Sequence, residues 1–179
     1  TWRAEGFDRR RVIGYSINDS FRFRELVARA KGAAVRQVDA TVIGEHGSTQ
    51  VALFSSVRID GRPVSFGQDE KDAIRAEIPT ILRRYEELQS GRTAGWTCAI
   101  GMAAIIRAMV EDSGAVFPCS VILDGEYGLS GLHLNVPAAL GRGGVREVVV
   151  WDLDATERAA LAESAVGVAE MLASIDLHG

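Results

Sequence analysis

The chain of 179 residues is 47% hydrophobic and 25% charged, with a formal net charge of −4. These values are typical of one globular domain with a sizeable core and exclude a disordered chain. The mild negative charge excludes nucleic acid as a main partner, and we interpret the single basic run, residues 9–11, as a solvated loop. No apolar stretch reaches the roughly 18 residues of a membrane-spanning helix, so we expect no membrane partner.

The two cysteines, Cys98 and Cys119, lie far apart and lack the spacing of metal ligands, so we predict no metal site. Both lie in apolar runs, and we interpret them as buried free thiols. Free thiols are typical of a reducing compartment, which predicts a cytoplasmic protein.

The first predicted elements are a short strand at residues 11–13 and a helix that begins near Asp19 and ends at Gly32. Asp19 and Ser20 suit the first turn, where their side chains can accept hydrogen bonds from free amides, and Gly32 suits the C-terminus. Asp19 and Arg22 are three residues apart and share a face that could line a cleft. The opposite, buried stripe is predicted to contain Phe23, Leu26, Val27 and Ala30.

Residues 38–43 alternate between apolar and polar and predict a half-buried strand. This strand leads into residues 44–47, where two glycines bracket His46. Because glycine allows a sharp turn, the pattern predicts an imidazole presented at the end of the strand.

Further short strands are predicted at residues 50–54 and 57–59, with Asp60 and Gly61 as a hairpin turn after the second. These strands would add to an antiparallel arrangement, because hairpin turns join neighbouring antiparallel strands.

Residues 69–89 have a helical pattern that Pro79 interrupts, and residues 90–95 form a predicted loop. The next stretch, residues 96–110, is apolar on most sides. It therefore predicts a central buried helix.

Three more strands are predicted at residues 116–123, 132–138 and 145–151. Residues 124–128 and 141–144 are the turns between them. The glycines of the second turn are not interpreted as a phosphate loop, because the G-x-G-x-x-G spacing and a following helix are missing.

The last predicted helix begins with a capping box formed by Asp154 and Glu157. Its predicted stripe contains Leu161, Ala165, Val168, Leu172 and Ile175. Strands gathered into hairpins with helices between them predict an α+β fold with a mixed, mostly antiparallel sheet and packed helices, over one domain at residues 1–179.

The predicted helix and the predicted turn supply three chemical groups: the carboxylate of Asp19, the guanidinium of Arg22 and the imidazole of His46. Imidazole is the side chain that titrates near neutral pH unaided, and a guanidinium can bind a carboxylate through two parallel hydrogen bonds. Together they are suited to moving a proton to or from a substrate that carries its own carboxylate.

Four motifs occur in a fixed order: DSFRFR at residues 19–24, VIGEHG at 42–47, LDGEYG at 123–128 and GVREVV at 144–149. Each motif alone is weak, but the ordered set is specific and spans nearly the whole chain. It resembles the C-terminal catalytic, substrate-binding domain of the NAD-dependent lactate and malate dehydrogenases.

This resemblance implies roles for five residues. His46 would be the general acid/base of hydride transfer, and Asp19 would hydrogen-bond its far nitrogen. Arg22 would bind the substrate carboxylate, while Thr93 and Ala94 would shape the pocket around the substrate side chain.

The resemblance also implies NAD as cofactor, a small 2-oxo or 2-hydroxy acid as substrate, and a homodimer or homotetramer. The dinucleotide fingerprint is missing from the chain. The resemblance therefore implies an upstream dinucleotide-binding domain outside these residues.

Three readings stay open. The main expectation is the substrate-binding half of an L-lactate dehydrogenase-like enzyme, and the second is a malate dehydrogenase. The third is a divergent, non-catalytic relative that dimerises or acts as a scaffold. Three positions depart from the family motif: Asn18 in place of leucine, Ser48 in place of aspartate and Ala52 in place of proline. The polar Asn18 and Ser48 motivate the third reading.

Overall fold

A computed structural model describes residues 6–87 and 95–174 of the chain. The helices are α1 (Ile17–Lys31), α2 (Gln68–Glu77), α3 (Thr80–Glu87), α4 (Gly95–Val110) and α5 (Ala155–Ala173). The strands are β1 (Gly14–Tyr15), β2 (Val38–Asp39), β3 (Val42–Ile43), β4 (Val51–Ala52), β5 (Arg58–Ile59), β6 (Arg62–Pro63), β7 (Val116–Asp124), β8 (Ser130–Gly141) and β9 (Gly144–Val148). Short 3₁₀ turns cover Arg9–Arg11, Val35–Gln37, Phe54–Ser56 and Glu126–Gly128.

The strands pair antiparallel in three sheets, which confirms the α+β prediction. The main sheet has the order β1-β7-β8-β9, and smaller sheets have the orders β2-β5-β6 and β3-β4. Asn135 of β8 exchanges two backbone hydrogen bonds with Gly44, at 2.8 and 3.0 Å, and so attaches the end of β3 to the main sheet. No helix in the described ranges is long and apolar enough to cross a membrane.

Two hydrophobic clusters form the core. The larger lies between the main sheet and helices α4 and α5, with Leu134, Val136 and Leu161 among its members. The smaller packs α1 and α2 against the short strands around Phe23 and Phe54, whose ring centroids are 5.0 Å apart. The site described below lies where α1 and β3 meet.

Several local predictions are confirmed. Gly32, with φ of +63°, ends α1. Asp60 and Gly61, both with positive φ, form the turn between β5 and β6. Pro79 separates α2 from α3, and the capping box at Asp154 is present at the start of α5.

The predicted strand at residues 38–43 is wrong, because it is two strands in different sheets. Ala40 and Thr41 between them are both buried, and their carbonyl groups accept hydrogen bonds from Arg24 Nε at 3.2 Å and from Leu53 N at 3.0 Å. The Leu53 bond continues the β3–β4 register back to Thr41, whereas Val38 and Asp39 pair with β5, so the stretch changes sheet at Ala40, whose carbonyl group is bonded by the Arg24 side chain.

The N-terminal predictions also need correction. Residues 9–11 form a 3₁₀ turn in which Arg10 and Arg11 are exposed to solvent as expected, but the first strand begins at Gly14 and not at residue 11. Arg9 Nη1 donates to the Ile122 carbonyl oxygen at 2.9 Å and lies 3.4 Å from Glu126 Oε1. These contacts hold the turn against β7.

Strand and stripe boundaries differ in smaller ways. The predicted strand at residues 50–54 is shortened to β4, because Phe54 begins a 3₁₀ turn, and β8 is longer than its predicted seven residues. Ala30 is exposed, and Ala28 takes its place in the buried stripe of α1. In α5, Leu161 and Ala165 are buried, whereas Val168 and Leu172 are half-buried and Ile175 lies outside the described residues.

Helix α4 is not the central buried helix that its composition predicted. Only Gly101, Ile105 and Ala108 are buried, whereas Trp96 is 72% exposed and Ile106 is 58% exposed. Gly101 allows the helix to approach β1 closely, since a Cβ there would lie 2.4 Å from Tyr15 Oη. The sheet covers one narrow face of α4 and leaves a second apolar face open.

Candidate active site

The site begins at the first turn of α1, which carries Asp19 and Ser20. Asp19 does not cap its own helix; its side chain is 2% exposed and faces the loop after β3. Ser20 Oγ accepts a hydrogen bond from Val42 N at 3.0 Å and so fixes β3 against α1. This attachment sets the distance between the helix and the turn that follows β3.

His46 lies on the turn between β3 and β4. The turn begins at Gly44, whose φ of +87° is strained for any residue with a side chain. His46 Nδ1 lies 2.5 Å from Asp19 Oδ2, while the imidazole ring remains 64% exposed. Because Nδ1 faces the carboxylate, the opposite nitrogen, Nε2, is directed away from Asp19.

Arg22 completes the cluster one turn along α1. Its Nη1 donates to Asp19 Oδ1 at 3.1 Å, and its side chain is 19% exposed. The two oxygens of the buried carboxylate therefore have different partners: Oδ1 accepts from the guanidinium and Oδ2 pairs with the imidazole. This arrangement satisfies a buried charge that would otherwise be strongly destabilising.

Asn18 precedes Asp19 but is directed elsewhere. Its Oδ1 accepts from Tyr15 Oη at 2.8 Å, and its Nδ2 donates to Cys98 Sγ at 3.0 Å. Burial raises the pKa of Tyr15 to about 12, and Cys98 contributes to the shift, so the phenol remains a hydrogen-bond donor. The side chain of Asn18 thus makes these hydrogen bonds away from the Asp19–His46 pair.

The cysteine prediction is half right. Cys119 is fully buried in β7, and burial raises the pKa of its thiol to about 12. Cys98 is only partly buried, because α4 lies near the surface.

Four other residues were singled out in the sequence analysis, and the structure describes two of them. Ser48 is exposed on the His46 turn, and Ala52 is buried in β4. Thr93 and Ala94 lie outside the described residues.

Residues missed by the sequence reasoning include Asn135, whose Nδ2 donates to the Val42 carbonyl oxygen at 2.7 Å, and Ser164 of α5. For Ser164 a signal existed, since it is a serine on the buried stripe between Leu161 and Ala165.

A cleft of about 690 Å³ among the described residues does not contain this cluster. Its lining includes Arg24, Asp39, Thr41, Arg58, Trp151 and Asp152. The exposed edge of His46 instead faces open solvent. Within the described ranges, no group of three or more His, Cys, Asp or Glu side chains is arranged to hold a metal ion.

Comparison with known proteins agrees with the geometry. The family model for the lactate/malate dehydrogenase, alpha/beta C-terminal domain matches residues 18–177. Malate dehydrogenase of Halobacterium salinarum is 43% identical over 88% of the chain, and L-lactate dehydrogenase 1 of Staphylococcus aureus is 34% identical over 98% of it. The chain covers 52% and 57% of these relatives, so it spans about half their length.

A solved structure has the same fold over nearly the whole chain. Malate dehydrogenase from Salinibacter ruber superposes with a TM-score of 0.87 at 34% identity, covering 96% of this chain and 57% of that one. The family match over most of the chain, the sequence identities and the superposition lead to one conclusion: the chain belongs to the lactate/malate dehydrogenase family, in the part that forms the alpha/beta C-terminal domain.

Proposed function

We propose that this chain is the catalytic, substrate-binding half of an NAD-dependent 2-hydroxyacid dehydrogenase, in which His46 is the general acid/base. The observation that carries the proposal is the 2.5 Å contact between His46 Nδ1 and the buried Asp19 Oδ2. A carboxylate behind one imidazole nitrogen fixes the tautomer and leaves the other nitrogen for proton transfer.

The three side chains have separate roles in this proposal. His46 Nε2 delivers a proton to the carbonyl oxygen of a 2-oxo acid, and takes it back in the reverse direction. Asp19 holds the imidazole ring so that Nε2 is directed toward the substrate. Arg22 binds the substrate carboxylate, and its planar guanidinium suits the two parallel hydrogen bonds that this group accepts.

The cofactor would supply or accept hydride at the substrate carbon, and we assign its binding site to residues outside this chain. A dinucleotide pyrophosphate needs a glycine-rich turn at a helix N-terminus. Neither α1 nor α4 follows a G-x-G-x-x-G segment, and the glycines at 141–144 join β8 to β9. The described residues therefore do not fit a pyrophosphate site, and an upstream dinucleotide-binding domain remains part of the proposal.

Between the two substrate classes, we favour a malate-selective protein over a lactate-selective one. The support is the higher identity to a malate dehydrogenase, 43%, than to an L-lactate dehydrogenase, 34%. This preference reverses the order expected from the motifs.

The test is a steady-state assay of the full-length protein that carries this chain and the dinucleotide-binding half. With NADH, oxaloacetate should be reduced with a higher kcat/KM than pyruvate. His46→Ala should lower kcat by roughly 10²–10⁴-fold, the usual worth of a general acid/base, whereas the histidine control His133→Gln should not. Activity of His46→Ala within about threefold of the parent would contradict the catalytic proposal.

A non-catalytic relative that dimerises or acts as a scaffold is the second candidate. The observation that favours it is the open apolar face of α4, where Trp96 is 72% exposed. The same assay separates the two candidates. A folded, assembled protein that reduces neither oxaloacetate, pyruvate nor a bulkier 2-oxo acid would support the scaffold.

A further inference from the structure

The His46 turn, residues 44–49, needs support from its backbone. The imidazole is 64% exposed, so side-chain packing covers little of it, and Asp19 is its only polar partner among the described residues. A catalytic group on such a turn keeps its direction only if the backbone beneath it is held.

Ser164 of α5 supplies one such attachment. Its side chain is completely buried, and its Oγ accepts a hydrogen bond from the backbone N–H of Glu45 at 2.7 Å. The residue before, Gly44, allows this approach, because a Cβ at Gly44 would lie 2.7 Å from Ser164 Oγ. The helix hydroxyl thus holds the peptide group between Gly44 and Glu45, one residue before His46.

The side chain of Glu45 closes the turn from the other direction. Glu45 Oε2 accepts from Thr49 Oγ1 at 2.5 Å and from Thr49 N at 3.4 Å. The carboxylate lies over Gly47, where a Cβ would be 2.6 Å from Glu45 Oε1. Thr49 Oγ1 also lies 3.4 Å from Ser164 Oγ, so the three side chains form one connected network.

We propose that Ser164 is a positioning residue, which fixes the backbone of Glu45 and thereby directs the His46 ring toward Asp19. For its effect on catalysis this inference rests on the proposed function, whereas the positioning of the His46 ring does not depend on it. It assigns to α5, a helix more than 100 residues away in the chain, a role in orienting the acid/base group.

The physical reason is the loss of an acceptor. In Ser164→Ala the Glu45 N–H has no partner at that position, and the turn can move by a fraction of an ångström. Such a displacement of a general acid costs up to about 10²-fold in rate without unfolding the protein.

The first experiment uses the 179-residue chain and needs no activity. Amide hydrogen exchange of Glu45 should be roughly 2–10-fold faster in Ser164→Ala, since one net hydrogen bond is worth about that factor. The far-downfield imidazole N–H resonance expected for the His46–Asp19 pair should broaden or disappear. The chain has three histidines, so the resonance can be assigned by substitution.

The matched control is Ser174→Ala, the same substitution at the exposed end of the same helix. Ser174 Oγ donates to the Met171 carbonyl oxygen at 2.7 Å and contacts nothing in the His46 turn. It should leave both signals unchanged. If Ser164→Ala does not fold, as judged by circular dichroism, Thr49→Val removes the second attachment and should change the same signals in the same direction.

The second experiment uses the full-length protein with NADH. Ser164→Ala should lower kcat by about 10–100-fold and change the substrate KM by less than about twofold, because Arg22 is untouched. In an Asp19→Asn background the same substitution should cost much less, since both changes act through one pair. A merely structural role would predict equal costs in the two backgrounds.

The outcomes separate this inference from the proposed function. Unchanged Glu45 exchange and an unchanged His46 resonance in Ser164→Ala would overturn the inference, as would an unchanged kcat in an active parent. Altered signals together with a parent that is inactive on every 2-oxo acid would uphold the positioning of His46 and overturn the proposed function instead.

Discussion

At the scale of single residues, the site depends on one buried carboxylate with two cationic or protonatable partners. Asp19 is 2% exposed, and each of its oxygens has a partner. A buried charge that loses one partner destabilises its surroundings more than an exposed one does, because water cannot replace the lost contact. Substitutions here must therefore be judged by both fold and activity.

Asp19→Asn should keep the fold and lower kcat of the full-length protein by about 10²–10⁴-fold. An amide can offer a donor to His46 Nδ1 and so favour the wrong tautomer, as in other His–Asp pairs. Steady-state kinetics with oxaloacetate measures the effect. Asp152→Asn, at a fully exposed carboxylate, is the control, and equal kinetics for the two variants would contradict the prediction.

Arg22→Lys should mainly raise the substrate KM, by about 30–700-fold, which corresponds to roughly 2–4 kcal/mol of carboxylate binding. Lysine keeps the charge but cannot form two parallel hydrogen bonds, and its ammonium can still pair with Asp19. The measurement is KM against kcat for oxaloacetate. A fall in kcat at constant KM would show that Arg22 supports Asp19 rather than the substrate.

His133 predicts a pH effect on stability. Burial lowers its pKa below the ordinary value of 6.5, although a hydrogen bond with the Ser120 backbone opposes the shift. The folded state therefore favours the neutral ring. The resulting contribution to the free energy of unfolding is complete above pH 6.5. It is lost as the pH falls from 6.5 toward the lower pKa of the folded state.

The free energy of unfolding should accordingly decrease below about pH 6.5, and His133→Gln should flatten part of that decrease. Urea denaturation at a series of pH values measures it. An identical pH dependence in parent and variant would rule out His133 as a contributor.

At the scale of elements, helix α4 carries an apolar face that the described part of the chain leaves uncovered. Its open face carries Trp96, Ile100, Ile106 and Val110, all more than half exposed. A contiguous apolar face of this kind is typical of a surface that another protein surface covers.

The isolated chain should therefore self-associate, to at least a dimer at micromolar concentration, and Ile100→Glu or Ile106→Glu should shift it toward monomer. A carboxylate placed in an apolar contact is costly to bury. Sedimentation velocity over a range of concentrations tests this. Val35→Glu, at an exposed valine away from α4, is the control, and a monomeric parent at all concentrations would refute the prediction.

At the scale of the whole molecule, the described fold presents the Asp19–His46 pair on an open surface without a dinucleotide-binding turn. The chain alone should therefore neither bind NADH tightly nor turn over substrate, because its sequence contains no G-x-G-x-x-G segment and the described residues form no pyrophosphate site. Calorimetric titration of NADH into the chain is the measurement. Micromolar binding at one NADH per chain would contradict the assignment of the cofactor to an upstream domain.

Local rules in the sequence predicted much of the secondary structure. The break at Pro79, the left-handed end of α1 at Gly32, the turn at Asp60 and the capping box at Asp154 all follow from the chemistry of one to four neighbouring residues. The same holds for the proximity of Asp19 and Arg22, which depends only on helical spacing. The contact between Asp19 and His46 was expected from the family resemblance, and their catalytic roles stay predictions.

Other features depended on which elements meet, and local periodicity carries no such information. Residues 38–43 have the pattern of one strand, yet Val38 and Asp39 pair with β5 whereas Val42 and Ile43 pair with β4, and the Arg24 side chain of α1 binds the Ala40 carbonyl group between them. The composition of α4 predicts burial, but only Gly101, Ile105 and Ala108 meet the rest of the described chain closely enough to be buried. Asn18 and Ser164 show the same dependence, since each acts through a partner about 80 or more residues away. Because a hydrogen bond between distant segments exists only after the chain has packed, these contacts could be determined only by the tertiary structure.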